Sequence, residues 1–163
     1  MTLIRDTDRT VPITVQRRSR LTPTEAFDRI VPIDLPSVFQ AVRPFPGVAR
    51  VDNQTEAWDH VGPSRNPVFD DGSRATETLT EYAEGRSFAY ELTDFTNVLG
   101  RLAYGVRGEW TFSTDGSGTL VRWCYEFKPR PGRRWILAGP FKPFWTRYMR
   151  AALHRIVTVA EGA

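Results

Sequence analysis

Residues 141–160 constrain the fold more than any other part of this chain. Trp145, Tyr148, Met149, Ala152, Leu153, Ile156, Val159 and Ala160 recur there at spacings of three and four, the period of one apolar face of an α-helix. Arg147, Arg150, His154 and Arg155 fall between them and face the other way. A long helix with so much apolar surface on one side has to bury it against a broad partner. The chain upstream is the partner at hand and reads mostly as strands. The expectation is therefore a curved sheet gripping one long helix, with space possible between them.

The upstream pattern supports that arrangement. A polar start at residues 1–10 has no period and is expected to be a loose lead-in. Val11, Ile13 and Val15 then alternate with Pro12, Thr14 and Gln16, a strand with one buried face. Thr22-Pro23-Thr24-Glu25 carries the hydroxyl, proline and glutamate of a helix start. That helix presents Phe27 and Ile30, is interrupted by Pro32 and Pro36, and leaves a second short helical piece at 35–42 before Pro44 and Pro46. Strands are expected at 48–52, 55–61, 74–82, 87–93, 103–113 and 119–128, with a bend or bulge around Gly62-Pro63 and Asn66-Pro67. Asp70-Asp71-Gly72-Ser73 and Asp115-Gly116-Ser117-Gly118 read as hairpin turns. A helical turn is expected at Trp135-Ile136-Leu137, before Pro140 and Pro143.

Side-chain parity says which face is dry. Val121, Trp123, Tyr125 and Phe127 share one face against Arg122, Cys124 and Glu126, and Val106, Gly108, Trp110 and Phe112 do the same against Arg107, Glu109 and Thr111. Phe88, Tyr90 and Leu92 repeat the pattern. One face of the meander is thus aromatic and covered, with the last helix as its cover. Glu77, Glu81, Glu91, Glu109 and Glu126 are expected on the wet face, paired with Arg107 or Arg122. Thr76, Thr78, Thr80 and Tyr82 share a face that lines a cavity with hydroxyls or is an exposed threonine face.

Composition narrows the classes. A chain of 163 residues is one domain in expectation, spanning 1–163, and can bury a core without metals or disulfides. Cys124 is the single cysteine, which excludes an internal disulfide and fits a reducing compartment. The start has no signal-peptide pattern and no apolar run reaches membrane-spanning length, so a cytoplasmic location is expected. The net charge of +3 is carried by scattered arginines, with Lys128 and Lys142 the only lysines. A nucleic-acid binder concentrates its charge in a stripe, so no nucleic-acid partner is expected. Arg130, Arg133 and Arg134 do cluster beside Trp135-Ile136-Leu137, a chemistry that can settle on anionic membranes, but a solvated loop is the simpler account and membrane contact is not expected. One cysteine and two separated histidines give no zinc spacing, and neither metal nor cofactor is expected.

The order of elements resembles the START-like superfamily (SRPBCC type) of polyketide cyclases, lipid-transfer proteins and plant hormone receptors. The local resemblance is to its polyketide cyclase/dehydrase branch. Asp71-Gly72-Ser73 followed by Glu77, Phe88 and Tyr90 looks like that branch's middle hairpins, and Trp110 with Gly116-Ser117-Gly118-Thr119 looks like its late glycine-x-glycine-threonine turn. The proline-interrupted, arginine-rich final helix completes the likeness, which covers nearly everything after Val11 and departs from the usual pattern at Pro32, Pro36, Pro44 and Pro46. It implies an α+β helix-grip fold: a curved antiparallel sheet of about seven strands around a long C-terminal helix, with two short helices after the first strand. It also implies a cavity for a hydrophobic or aromatic small molecule, such as a lipid or polyketide, and leaves the reaction open.

The expected cavity wall is Trp58, His60, Tyr82, Phe88, Tyr90, Trp110, Trp123, Tyr125, Trp145, Tyr148 and Met149. The same rings would also serve simply as core, though the polar atoms of Tyr and Trp need partners that a pocket supplies. His60 shares strand parity with Trp58, which would point it inward for acid–base work, and Tyr82 and Tyr90 are further candidates for proton transfer or orientation. No local motif marks a Ser or Cys nucleophile. Three functions stay open: binding a hydrophobic or aromatic small molecule, a cyclase or dehydrase using the same cavity, and binding a macromolecular partner. A monomer or homodimer suits each.

Overall fold

Turn glycines and apolar alternation set the strands. In the computed structural model, which describes residues 2–162, seven strands form one antiparallel sheet: β1 Val11–Ser19, β2 Val48–Asp52, β3 Ser64–Phe69, β4 Thr76–Ala83, β5 Ser87–Thr93, β6 Ala103–Asp115 and β7 Gly118–Pro129. Their order across the sheet is β1-β7-β6-β5-β4-β3-β2, so the first strand closes beside the last and the rest is a meander. The helices are α1 Pro23–Ile30, α2 Leu35–Val38, α3 Leu99–Leu102, α4 Arg134–Ala138 and α5 Phe141–Gly162. This is the helix-grip architecture.

Register follows the side-chain pattern. In the β6–β7 hairpin Gly108 pairs with Tyr125, Trp110 with Trp123 and Phe112 with Val121, so the aromatics of both strands fall on one face. Gly108 is also paired with Tyr90 of β5. A Cβ there would collide with the Tyr90 ring, so only glycine lets that ring cross β6. At α1, Thr22 accepts from the Glu25 backbone N–H and Glu25 reaches back to the Thr22 N–H, a complete capping box. The far end of α5 is clamped: Glu161 accepts from the Ser19 hydroxyl at 3.0 Å and the Arg20 N–H at 2.8 Å, and Arg29 Nη1 donates to the Ala160 carbonyl at 2.9 Å.

Several expectations change, and the second short helix covers only Leu35–Val38 of the expected 35–42. The strand expected at 55–61 is a loop that leaves β2 through Asn53 at φ 56°, and the next strand begins only at Ser64. Residues 55–57 and 59–61 are exposed and Trp58 alone is buried, so the segment lacks the dry face that would hold it in a sheet. In the last turns of α5 Val157 is buried together with Ile156 and Ala160, while Val159 is exposed. The lead-in is pinned: the Leu3 N–H donates to Glu91 at 2.9 Å, its carbonyl accepts from Lys128 at 2.9 Å, and Asp8 pairs with Lys128 at 3.1 Å.

Candidate functional site

The aromatic inner face of the sheet and the inner face of α5 do not close on each other completely. Between them lies a cavity of about 360 Å³. β5 contributes Phe88, Tyr90 and Leu92, β6 contributes Val106 and Trp110, β7 Tyr125, and α5 Trp145, Tyr148 and Ile156. The end of α1 and the proline-rich segment after it supply Ile30, Ile33 and Phe45. Phe45 meets Trp145 edge-on at 4.8 Å, and the Tyr148 hydroxyl donates to the Pro46 carbonyl at 3.1 Å, so this segment is tied to α5 as one end of the cavity. Val98, before α3, lines the cavity yet is 60% exposed, which marks a mouth.

Polar groups in the wall are few. Arg65 of β3 and Glu77 of β4 form an ion pair on the wall, Nε to Oε2 at 2.8 Å and Nη2 to Oε1 at 3.4 Å, with only 8% and 5% of each residue exposed. The Arg65 guanidinium lies 3.9 Å above the Trp58 ring. Two buried ions in an apolar wall survive because each satisfies the other. Beyond them the Tyr90 oxygen accepts from Trp110 Nε1 at 3.3 Å and from Trp123 Nε1 at 3.1 Å. Two indoles occupy that oxygen, and the hydroxyl also interacts with that of Tyr125. Burial, then the nearby negative charge of Glu77, raises the Tyr90 hydroxyl pKa. Burial and the neighbouring Tyr90 hydroxyl do the same for Tyr125, and burial followed by Asp70 for Tyr148. All three stay protonated at neutral pH and act as donors. Trp145 Nε1 is buried with no hydrogen-bond partner among the described residues, an orphan donor in a wall residue.

Of the expected wall residues, Trp58, Phe88, Tyr90, Trp110, Tyr125, Trp145 and Tyr148 line the cavity. Trp123 and Met149 lie behind it with no exposed surface, Trp123 stacked on Trp110 at 4.8 Å. His60 does not point inward. It sits on the exposed loop after β2, its ring nitrogens 2.7 Å from Asp59 and 2.8 Å from Glu56, because that segment is not a strand and parity with Trp58 has no meaning there. Tyr82 is also outside the cavity, edge-on to Phe27 at 5.3 Å. A bulge between Leu79 and Glu81 reverses parity, so Tyr82 shares the inner face with Glu77 and Leu79 and not with Thr76 and Thr78.

Arg65 and Glu77 were not expected in the wall, and Glu77 is a correction, since the wet face was its expected place. The signal was present: Glu77 alternates with Ala75 and Leu79, both buried, and so sat on an apolar face. Glu81 and Glu109 are on the outer face as expected, both 2.9 Å from Arg107. Among the described residues no group of three or more His, Cys, Asp and Glu side chains converges as a metal site.

Comparison with known proteins agrees with this geometry. No curated protein matches the chain in sequence. The crystal structure of Ara h 8.0201 superimposes with a TM-score of 0.72, over 94% of this chain and 99% of that one, at 11% identity, a likeness of fold alone. The sequence model of the family described as polyketide cyclase / dehydrase and lipid transport matches residues 10–161. With the seven-stranded grip, the long helix and the apolar cavity in place, that match over nearly the whole chain makes it a member of the polyketide cyclase/dehydrase and lipid transport family.

Proposed function

We propose that this protein binds a hydrophobic or aromatic small molecule, lipid-like or polyketide-like, in the cavity between the sheet and α5, and that it does so in the cytoplasm. The observation that carries the reading is the cavity itself. Its volume of about 360 Å³ is within the range of small-molecule sites, and its wall is mostly apolar and aromatic with a few polar groups. An apolar ligand body would be desolvated against the rings of Phe88, Trp110, Trp145 and Tyr148. A carbonyl or hydroxyl on that ligand would accept from the Trp145 N–H, which has no partner among the described residues. A purely aliphatic ligand would leave that donor unsatisfied, which favours a ligand with at least one oxygen acceptor.

The test is mass spectrometry of the protein purified from its native cells under non-denaturing conditions, beside tryptophan fluorescence on titration with fused-ring phenols. A co-purifying small molecule, or quenching that Val106→Phe removes by filling the cavity, is the expected result. No bound molecule and no titratable response from any such probe would defeat the reading.

A second reading, catalysis of the cyclase or dehydrase type in the same cavity, is favoured by one observation: Tyr90 is a buried donor whose own oxygen is fixed by two indoles. Such a group can hold a ketone oxygen in place while a chain folds. Tyr90→Phe would then lower turnover of a poly-ketone substrate at least tenfold with binding intact. Unchanged turnover would remove Tyr90 from that role.

A further inference from the structure

Charge along this chain is strongly divided. Residues 127–160 hold eight Lys and Arg and not one Asp or Glu, while the remainder sets fourteen Lys and Arg against nineteen Asp and Glu. The basic stretch runs from the end of β7 through α4 and along α5. At its centre is a corner where α4 turns into α5 through Gly139 and Pro140. Arg133, Arg134, Lys142 and Arg147 are exposed on this corner, and among the described residues none of them makes an ion pair. Between them stand two large aromatics that the fold leaves outside, Trp135 at 68% exposed and Phe144 at 51%. Phe144 and Arg147 are three residues apart on the outer face of α5, so ring and guanidinium project side by side.

The corner is fixed to the rim of the cavity. The Arg130 N–H donates to the Leu102 carbonyl at 2.9 Å and its Nε to the Gly100 carbonyl at 2.6 Å, both on α3, while its guanidinium lies 4.5 Å over the exposed Tyr104 ring. Val98 and Leu99, at the start of that same α3, line the cavity. From the other side, Trp145 of the cavity wall follows Phe144 directly in the chain.

We propose that this corner of α4 and α5 docks on an anionic lipid membrane, with the cavity mouth beside it. Headgroup phosphates meet unpaired guanidiniums, which bind them in a fork, and the interfacial layer receives indole and phenyl rings at headgroup depth. Among the described residues no helix is long and apolar enough to cross a bilayer, and the proposed contact is one of lying on the surface. It revises the sequence expectation that the Arg130–Arg134 cluster is only a solvated loop, and it stands whatever the cavity holds.

The test is co-sedimentation of the full chain with phosphatidylcholine vesicles, with and without phosphatidylglycerol. Binding is expected only with phosphatidylglycerol and falls as salt is raised. Arg133→Glu with Arg134→Glu weakens it about thirtyfold, and Trp135→Ala with Phe144→Ala about tenfold. These side chains are exposed, so each variant keeps the parent's circular dichroism and melting temperature. Arg122→Glu, at an exposed arginine of β7 eight residues before Arg130, leaves binding unchanged. The proposal is overturned by no binding to phosphatidylglycerol vesicles, including the case where an acidic protein is captured instead. It is equally overturned if the aromatic pair can be removed without loss, or if Arg122→Glu weakens binding as much as the corner variants do.

Discussion

Glu77 is the side chain on which the electrostatics of the cavity turn. Its carboxylate is buried and bound by Arg65, and its charge adds to burial, the main cause, in raising the pKa of the Tyr90 and Tyr125 hydroxyls. Replacing it alone leaves a guanidinium without a counter-charge in an apolar wall, so Glu77→Leu should cost about 3–5 kcal/mol of unfolding free energy by urea titration. The double variant Arg65→Met, Glu77→Leu removes both ions and should recover most of that loss. If the double is as unstable as the single, the pair is not the origin of the cost. Tyr90→Phe isolates a different interaction: it orphans the indole N–H groups of Trp110 and Trp123 and should cost about 1–3 kcal/mol. His60 gives the pH dependence outside the cavity. Hydrogen bonds to Asp59 and then Glu56 raise its pKa above 6.5. Folded pKa above unfolded pKa means that its contribution is fully present below 6.5 and fades as pH rises through the raised value. Amide exchange in residues 53–63 should therefore quicken above that point beyond its intrinsic rise with pH, and an NMR midpoint for His60 at or below 6.5 would contradict the arrangement.

At the scale of elements, α5 separates packing from binding along a single face. Tyr148 and Met149 are neighbours in sequence and both buried, but Tyr148 lines the cavity and Met149 lies behind its wall. Met149→Ala should cost about 2–5 kcal/mol and leave probe affinity unchanged. Tyr148→Ala should enlarge the cavity, release the Pro46 carbonyl and alter affinity several-fold, as measured by fluorescence titration. Equal effects of the two on affinity would mean that the wall assignment is wrong. The helix face was legible in the sequence because its period is strong, and besides the omitted Phe141 at its start it slipped at Val157 and Val159. There the covering partner changes, from the cavity and residues 44–46 at the start of α5 to β1 and α1 at its end. The β5–β7 aromatics were legible for the same reason, a strict period of two over long strands. β2 to β4 were not. Trp58 enters from a loop, Arg65 and Glu77 carry charge on an inner face, and the bulge after Leu79 reverses parity before Tyr82, so polarity and position disagreed at each point where the cavity is polar.

For the molecule as a whole, an unfilled space between sheet and helix links stability to whatever occupies it. The wall rings around about 360 Å³ lack contacts on one side, so the empty protein forgoes dispersion energy that a closed core would have. A ligand that binds only the folded state adds RT ln(1 + [L]/Kd), about 2.7 kcal/mol at a hundred times Kd. For a chain of 163 residues that corresponds to a rise in melting temperature of about 5–10 °C. Val106→Phe fills the same space with a side chain and separates this linkage from general stabilisation. Overpacking costs about 1–3 kcal/mol where a core is already full, but here the added ring enters a void. The variant should therefore melt within a few degrees of the parent when empty and show no further rise when the probe is added. Thermal melts followed by circular dichroism, with and without the fused-ring phenol that quenches the parent's tryptophans, make the comparison. A rise of equal size in parent and variant would place the probe elsewhere on the surface, and a large loss of stability in the empty variant would mean that the space beside Val106 is not open in solution.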